Sequence, residues 1–461
     1  MHRRDESTEE LTEAIVEYTT WRVGLHPPPL DGPQSAASLR KAIGGPTVTP
    51  TGIGGIEALR LFAEHLAPAC ISIDHPRYLS FVPAAPTDAA ILFDLVVAAS
   101  SIYGGSWLEG GGALYAENEA LRWIADLVGL PATAGGVFVT GGTAGNLSAL
   151  IAARWRWRDR AAGTHDRTRG LIVASGGAHS SVASAARAMD ADLVVVPADP
   201  LGRMQRDALC TTVDALAPED RERLFAVVAT SGTTNAGVID DLAATAAVCA
   251  ELRTWMHVDG AYGGAALAAP SVRDRFAGIE AADSFIVDPH KWLFAPFDCC
   301  ALLYRDPDVA RLAHTQHAEY LDVLHGGEAH EWNASDYAHH LTRRARGLPL
   351  WFSLATHGTA AYTDAVETTL QVARGGAALI RDAPHLELLL EPELSIVLFR
   401  RLGWDTATYH AWSDDQLARQ ESFVVPTTWQ GETVLRWCIV NPLTTVDDLA
   451  AIVASLEDFV A

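Results

Sequence analysis

Lys291 stands in the run Asp288-Pro289-His290-Lys291-Trp292, directly after the apolar stretch 285–287. A lysine at the end of a buried strand either snorkels its amine to water or keeps it desolvated as a nucleophile. Asp259 ends a second apolar stretch, in His257-Val258-Asp259-Gly260-Ala261-Tyr262, where a carboxylate can also simply cap a helix. His179, in Gly177-Ala178-His179-Ser180-Ser181, is an imidazole that caps the next helix or faces a ligand, and Ser231-Gly232-Thr233-Thr234 is by itself an ordinary turn. Gly141-Gly142-Thr143-Ala144-Gly145-Asn146 lets the backbone approach a ligand and opens a helix. The N–H donors and positive dipole of such a terminus suit a phosphate.

The elements that carry these residues are short apolar runs alternating with Ala-rich helical stretches. The runs fall at 136–140, 171–174, 193–196, 224–230, 255–258, 285–287 and 301–304, with helices expected at 143–156 and 180–189. Continuous apolar strands separated by helices signal a mostly parallel seven-stranded sheet covered on both faces. Ligands of such sheets sit outside the carboxyl ends of the strands. All five sites follow strand ends, so one sheet edge gathers a phosphate cradle, an imidazole, a carboxylate and an amine. Those are the parts a pyridoxal enzyme needs. A dinucleotide site would want an acidic residue at the end of the second strand. That strand ends in Ala174-Ser175, which carries no carboxylate.

The rest of the chain reads as flanking units. Residues 1–70 hold helical patterns broken by His26-Pro27-Pro28-Pro29 and Gly44-Gly45-Pro46, with a helix at 56–66, and suit a dimerisation arm. Residues 71–350 form the large domain, and 351–461 a small α+β domain with a helix from 348, strands at 394–400 and 434–440 and a terminal helix at 446–460. Of 461 residues 49% are hydrophobic, ample for a sizeable core. The formal charge, 34 − 57 = −23, disfavours nucleic acid and anionic membranes as partners. Six cysteines show no zinc-type spacing and suit reduced, mostly buried thiols. The polar start and the short apolar stretch 89–99, interrupted by Asp94, point to a soluble, cytoplasmic protein.

From about His75 to Trp351 the chain resembles the group II pyridoxal-phosphate decarboxylases, the family of aromatic-L-amino-acid, histidine and glutamate decarboxylases. The runs around Lys291 and Asp259 carry the resemblance. It implies an aspartate-aminotransferase-like α/β fold (fold type I) with an N-terminal helical segment and a small C-terminal domain. It implies pyridoxal 5′-phosphate as cofactor, joined to Lys291, with Asp259 on the pyridine nitrogen, His179 stacked on one ring face and Ala261 pressed on the other. Thr234 would help hold Asp259, while Gly142, Thr143 and His290 would surround the phosphate. Asp288 stands where the animal aromatic enzymes carry Asn beside the phosphate, a departure that puts its role as a cofactor contact in question.

Tyr320 matches the Tyr-Leu pair of the family's mobile loop and implies protonation at Cα; a surface aromatic is the plainer reading of the residue alone. His325-Gly326-Gly327-Glu328 reads as a polar lid. The loop's reach into a partner subunit implies a homodimer with shared sites. Phenylalanine at the Tyr320 position diverts related plant enzymes to aldehydes, so tyrosine favours the amine. The histidines around the loop (His314, His317, His325, His330, His339, His340) lack the pairing of a ligand set, and no metal is expected. Phe81, Val82 and Pro83 resemble an apolar wall of the substrate pocket, and Tyr103-Gly104-Gly105 a wall given by the other subunit. Gly105 replaces a phenylalanine, which enlarges the pocket toward an aromatic side chain; Arg77 pointing inward would instead suit an acidic substrate. The expected reaction is decarboxylation of an aromatic or apolar L-amino acid to the amine and CO2. The alternatives are an aldehyde synthase, a carbon–carbon lyase, a decarboxylase of acidic or basic amino acids, or a pyridoxal-binding protein without turnover.

Overall fold

The structure, a computed structural model, describes residues 2, 4–160, 168–321 and 332–459. Its large sheet contains β1 Gly135–Val139, β2 Leu171–Ser175, β3 Asp192–Val196, β4 Leu224–Thr230, β5 Trp255–Asp259, β6 Ser284–Val287 and β7 Cys300–Tyr304. Each expected strand end lies within a residue of the observed one. Continuous Val/Ile/Leu runs bounded by Gly, Pro or charge leave little freedom to place a doubly covered strand elsewhere. The order is β1-β7-β6-β5-β4-β2-β3. β7 runs antiparallel to both neighbours, and the other pairs are parallel. β1, β2, β4, β5 and β6 therefore deliver their carboxyl ends to one edge. Every residue of β4, β5 and β6 is buried, so these strands are fixed from both faces.

The small domain holds β8 Leu386–Leu390, β9 Ile396–Arg401, β10 Thr427–Trp429 and β11 Glu432–Cys438, antiparallel in the order β10-β11-β9-β8. Trp412, Trp437, Phe399 and Leu449 fill its core against the helix Val446–Asp458. The boundary expected at 350/351 falls inside one element. The helix Leu348–Asp382 runs from one sheet to the other, interrupted at Gly358, where φ of +77° is comfortable only for glycine. A second departure concerns residues 77–80. Leu79 donates to the Phe423 carbonyl at 3.0 Å and accepts from Cys438 N–H at 2.9 Å, and its side chain lies in the small-domain core. This stretch sits with the small domain, through pairings more than 300 residues apart that no local pattern announces.

The helix Glu6–Val23 is capped by Asp5 yet buries none of its residues, and Ile15, Val16 and Trp21 are exposed. Among the described residues no helix is long and apolar enough to cross a membrane.

Candidate active site

Lys291 lies in a one-turn helix, Pro289–Trp292, that follows β6. Trp292 anchors this turn: its ring stacks on Tyr262 at 5.2 Å, and its indole N–H donates to Thr369 Oγ1 at 2.9 Å. The anchor leaves Lys291 directed at a cavity of about 280 Å3, which is also lined by Asp259, Asp288, His290 and Phe297. Gly142, Thr143, His179, Thr234 and Ala261 line the same cavity. The nine residues expected around the cofactor are thus brought together at the carboxyl edge of the large sheet.

Asp259 is 4% exposed at the end of β5. Its Oδ1 accepts the Ala261 N–H at 3.0 Å and its Oδ2 accepts from Asn146 Nδ2 at 2.8 Å. Each carboxylate oxygen keeps a lone pair for a further donor. Thr234 is not among these partners; the residue that holds Asp259 is Asn146, one turn into the helix Gly142–Arg160. Thr234 sits in an exposed turn at the cavity wall. His179 caps the helix Ser180–Ala188, its Nδ1 accepting the Ser181 N–H at 3.2 Å. Capping and lining the cavity, offered by the sequence as rivals, are compatible here.

Asp288 is 2% exposed, and its Oδ2 lies 3.0 Å from Lys291 Nζ. Burial alone would push the Lys291 amine down, but Asp288 and then Asp259 outweigh it and hold it above the ordinary lysine value. Asp288 therefore faces the amine, and its Oδ1 is buried without a hydrogen-bond partner among the described residues. His290 faces the Cys299 peptide through Nδ1, with the carbonyl 2.6 Å away, and lies against Phe297 at 4.9 Å with the rings tilted by 43°. Burial pushes its imidazole below the ordinary histidine value.

The residues present fit a phosphorylated pyridine aldehyde. A Cβ on Gly142 would stand 3.2 Å from Ala261 Cβ and 3.3 Å from Asp288 Oδ2, so glycine keeps this corner open. Gly142 and Thr143, which open the helix Gly142–Arg160, line the cavity, and the first N–H groups of a helix lack intrahelical partners and suit a phosphate. The amine of Lys291 suits the aldehyde, and the spare acceptors of Asp259 suit the ring N–H.

The expected substrate residues are placed differently. Phe81, Val82, Pro83, Tyr103 and Gly105 do not line this cavity in the single chain. Phe81 is 61% exposed, and Val82 packs against the core of the large domain. A Cβ on Gly105 would stand 2.5 Å from the Tyr103 ring, so within the chain that ring takes the space a side chain would fill. Arg77 does not turn inward, because its Nε donates to Asp448 Oδ1 at 2.7 Å. Asp448 also closes the capping box of the last helix with Thr445. The backbone of Tyr320 lies in the 3₁₀ turn Glu319–Leu321. Its side chain, the stretch His325-Gly326-Gly327-Glu328 expected as a lid, and His330 lie outside the described residues. His314 and His340 face the carbonyls of Ser148 and Ala334, and no group of metal-ligating side chains occurs among the described residues.

Sequence reasoning gave no role to Asn146, His257, Ser181 or Phe297. Asn146 and His257 carried a usable signal: a lone amide on an Ala-rich helix face, and an imidazole inside an apolar strand, both need buried partners.

Residues 59–402 match the family model described as the pyridoxal-dependent decarboxylase conserved domain. An aromatic-L-amino-acid decarboxylase of Bacillus atrophaeus is 28% identical over 399 residues, 84% of this chain and 81% of the relative. An L-2,4-diaminobutyrate decarboxylase of Acinetobacter baumannii is 28% identical over 88% of this chain and 84% of the relative. Among solved structures, Catharanthus roseus tryptophan decarboxylase with L-tryptophan superposes with a TM-score of 0.87 at 21% identity, covering 99% of each chain.

Proposed function

The chain belongs to the pyridoxal-dependent decarboxylase family, and on that premise we propose that it removes the α-carboxylate of an aromatic or apolar L-amino acid, with Lys291 as the cofactor lysine and Tyr320 as proton donor. At the coarser level it is an amino-acid decarboxylase, a carboxy-lyase whose cofactor is pyridoxal 5′-phosphate. The observation that carries the finer reading is the convergence of Lys291, Asp259 and the Gly141-Gly142-Thr143 turn on one cavity of about 280 Å3.

When bound, the cofactor supplies an electron sink for the pair left at Cα as CO2 departs. Lys291 would supply the amine for its aldehyde. Asp259 would hold a proton at the pyridine nitrogen and so keep the ring cationic. His179 and Ala261 would hold the ring, and Gly142 and Thr143, with His290, would hold the phosphate. Tyr320 would deliver the proton to Cα.

Two observations support an aromatic or apolar substrate. Arg77 is held by Asp448, which leaves the acidic-substrate reading without its cation. Phe297 lines the cavity and is half-exposed, and so offers an apolar wall. Exposed Trp21, Leu92, Leu95, Leu108 and Tyr115 support a homodimer in which a second copy covers apolar surface and completes the substrate wall. The test is to supply holoenzyme with aromatic, apolar, basic and acidic L-amino acids, trap CO2 and identify the organic product. An amine from an aromatic or apolar amino acid is expected. Turnover confined to basic or acidic amino acids, or an aldehyde as main product, would overturn the assignment.

A further inference from the structure

Behind Asp259 lies a chain of buried polar groups whose donors and acceptors match in one sense. Trp255 Nε1, which can only donate, gives its hydrogen to Ser284 Oγ at 2.7 Å. Ser284 Oγ also lies 2.8 Å from His257 Nδ1. At the other end the Asn146 NH2 donates to Asp259 Oδ2 and Ser181 Oγ, each at 2.8 Å. Its Oδ1 is left to accept from His257 Nε2, 2.8 Å away, so that ring nitrogen carries the hydrogen. Ser181 in turn lies 2.9 Å from His179 Nδ1. A flipped amide would set its oxygen against the Asp259 carboxylate, acceptor against acceptor. His257 and Ser284 are fully buried and Asn146 is 1% exposed, so water does not relieve a mismatch. Burial pushes His257 down to about 4, against the pull of Asp259, consistent with a neutral ring carrying one hydrogen.

We propose that Asn146 is a positioning residue whose amide holds Asp259 and, through Ser181, His179 in one fixed arrangement, while His257 secures that amide by donating to its oxygen. One side chain thereby ties the group beneath the pyridine nitrogen to the group over the ring. The proposal rests on the reading of Asp259 as partner of that nitrogen. Its consequence is a carboxylate oriented before any cofactor arrives, since Asp259 receives two hydrogen bonds from the protein.

The test compares apoprotein binding of pyridoxal phosphate with binding of its analogue carrying C–H in place of the ring nitrogen, read by quenching of tryptophan fluorescence. Aldehyde and phosphate are unchanged, so the ratio of the two dissociation constants isolates the nitrogen contact. The wild-type protein is expected to prefer the nitrogen-bearing form roughly tenfold to a hundredfold, the scale of one charge-assisted hydrogen bond. Asn146→Leu and His257→Leu are expected to bring the ratio close to one while retaining affinity for the analogue. His257→Gln, which keeps an N–H donor toward Asn146, is expected to preserve it. A role in packing alone would weaken both ligands equally, and a wild-type ratio in Asn146→Leu would overturn the proposal. No preference in the wild-type protein would instead remove the reading of Asp259, and the proposal with it.

Discussion

The cofactor edge of the large sheet and the segment 76–107 stand in contrast within one chain. At the sheet edge, Asp259, Asn146 and His257 each find partners inside the same subunit, on elements buried on both sides. Along 76–107 and just beyond, Phe81, Leu92, Leu95 and Leu108 face outward. Arg343 and Glu117 clamp the turn at 103–105 from below, with Arg343 donating to the Gly104 carbonyl at 2.6 Å and to Glu117 at 2.7 Å. The difference teaches that the polar groups around Asp259 are satisfied within one chain, whereas the segment proposed as a substrate wall lies at an exposed apolar surface.

The contrast breaks most sharply at Asp259. Asp259→Ala is expected to lower kcat by about 10³-fold, since the charge opposite the ring nitrogen is lost. A drop under tenfold in steady-state assays of cofactor-saturated enzyme would show that the edge is less committed than its geometry implies. The division between subunits is sharpened by complementation. Lys291→Ala and Tyr320→Phe are each expected to lose amine formation, the second by about 10²-fold. Mixing the two after reversible dissociation is expected to restore part of the activity, because one site of the hybrid then holds both native residues. Mixtures no more active than their components would place Tyr320 in its own subunit's site.

The polar network also has a cost in acid. His257 titrates near 4 in the folded chain because it is buried, although Asp259 pulls it upward, against an ordinary value of 6.5. The unfolded chain takes up that proton between those pH values and the folded chain does not. Stability is therefore lost as pH falls through this window, by about 3 kcal/mol from this residue. Urea midpoints measured from pH 7 to pH 4 are expected to fall less steeply in His257→Gln; identical slopes would contradict the assignment. The smallest effect is expected in the substrate segment. Phe81→Ala is expected to raise KM severalfold for a large apolar substrate with kcat nearly unchanged, about the value of lost apolar contact. A large fall in kcat would move Phe81 into the chemistry.

The same contrast explains what the amino-acid sequence revealed. Strand positions and the residues behind them were legible, because a doubly covered strand is a short apolar run and its functional residue follows within a few positions: Asp259 closes β5 and Lys291 follows β6 by four residues. Asn146 was visible as part of a Gly-rich turn, but its role depends on β5 and the helix from Ser180 meeting it in space. The pairing of Arg77 with Asp448 spans 371 residues, and that of Leu79 with Phe423 is nearly as distant, so neither leaves a periodic trace. Nor does the sequence announce that the Tyr103 ring, two residues earlier, folds back over Gly105.

Lys291 is proposed to carry the cofactor at this edge. The most direct measurement is the visible absorbance spectrum of the purified protein titrated with pyridoxal phosphate, beside Lys291→Ala. A visible band that saturates in the native protein, disappears on borohydride reduction as the cofactor becomes fixed to the peptide containing Lys291, and never forms in the variant is the expected result. An equal band in Lys291→Ala, or reduction that labels another lysine, would contradict the account.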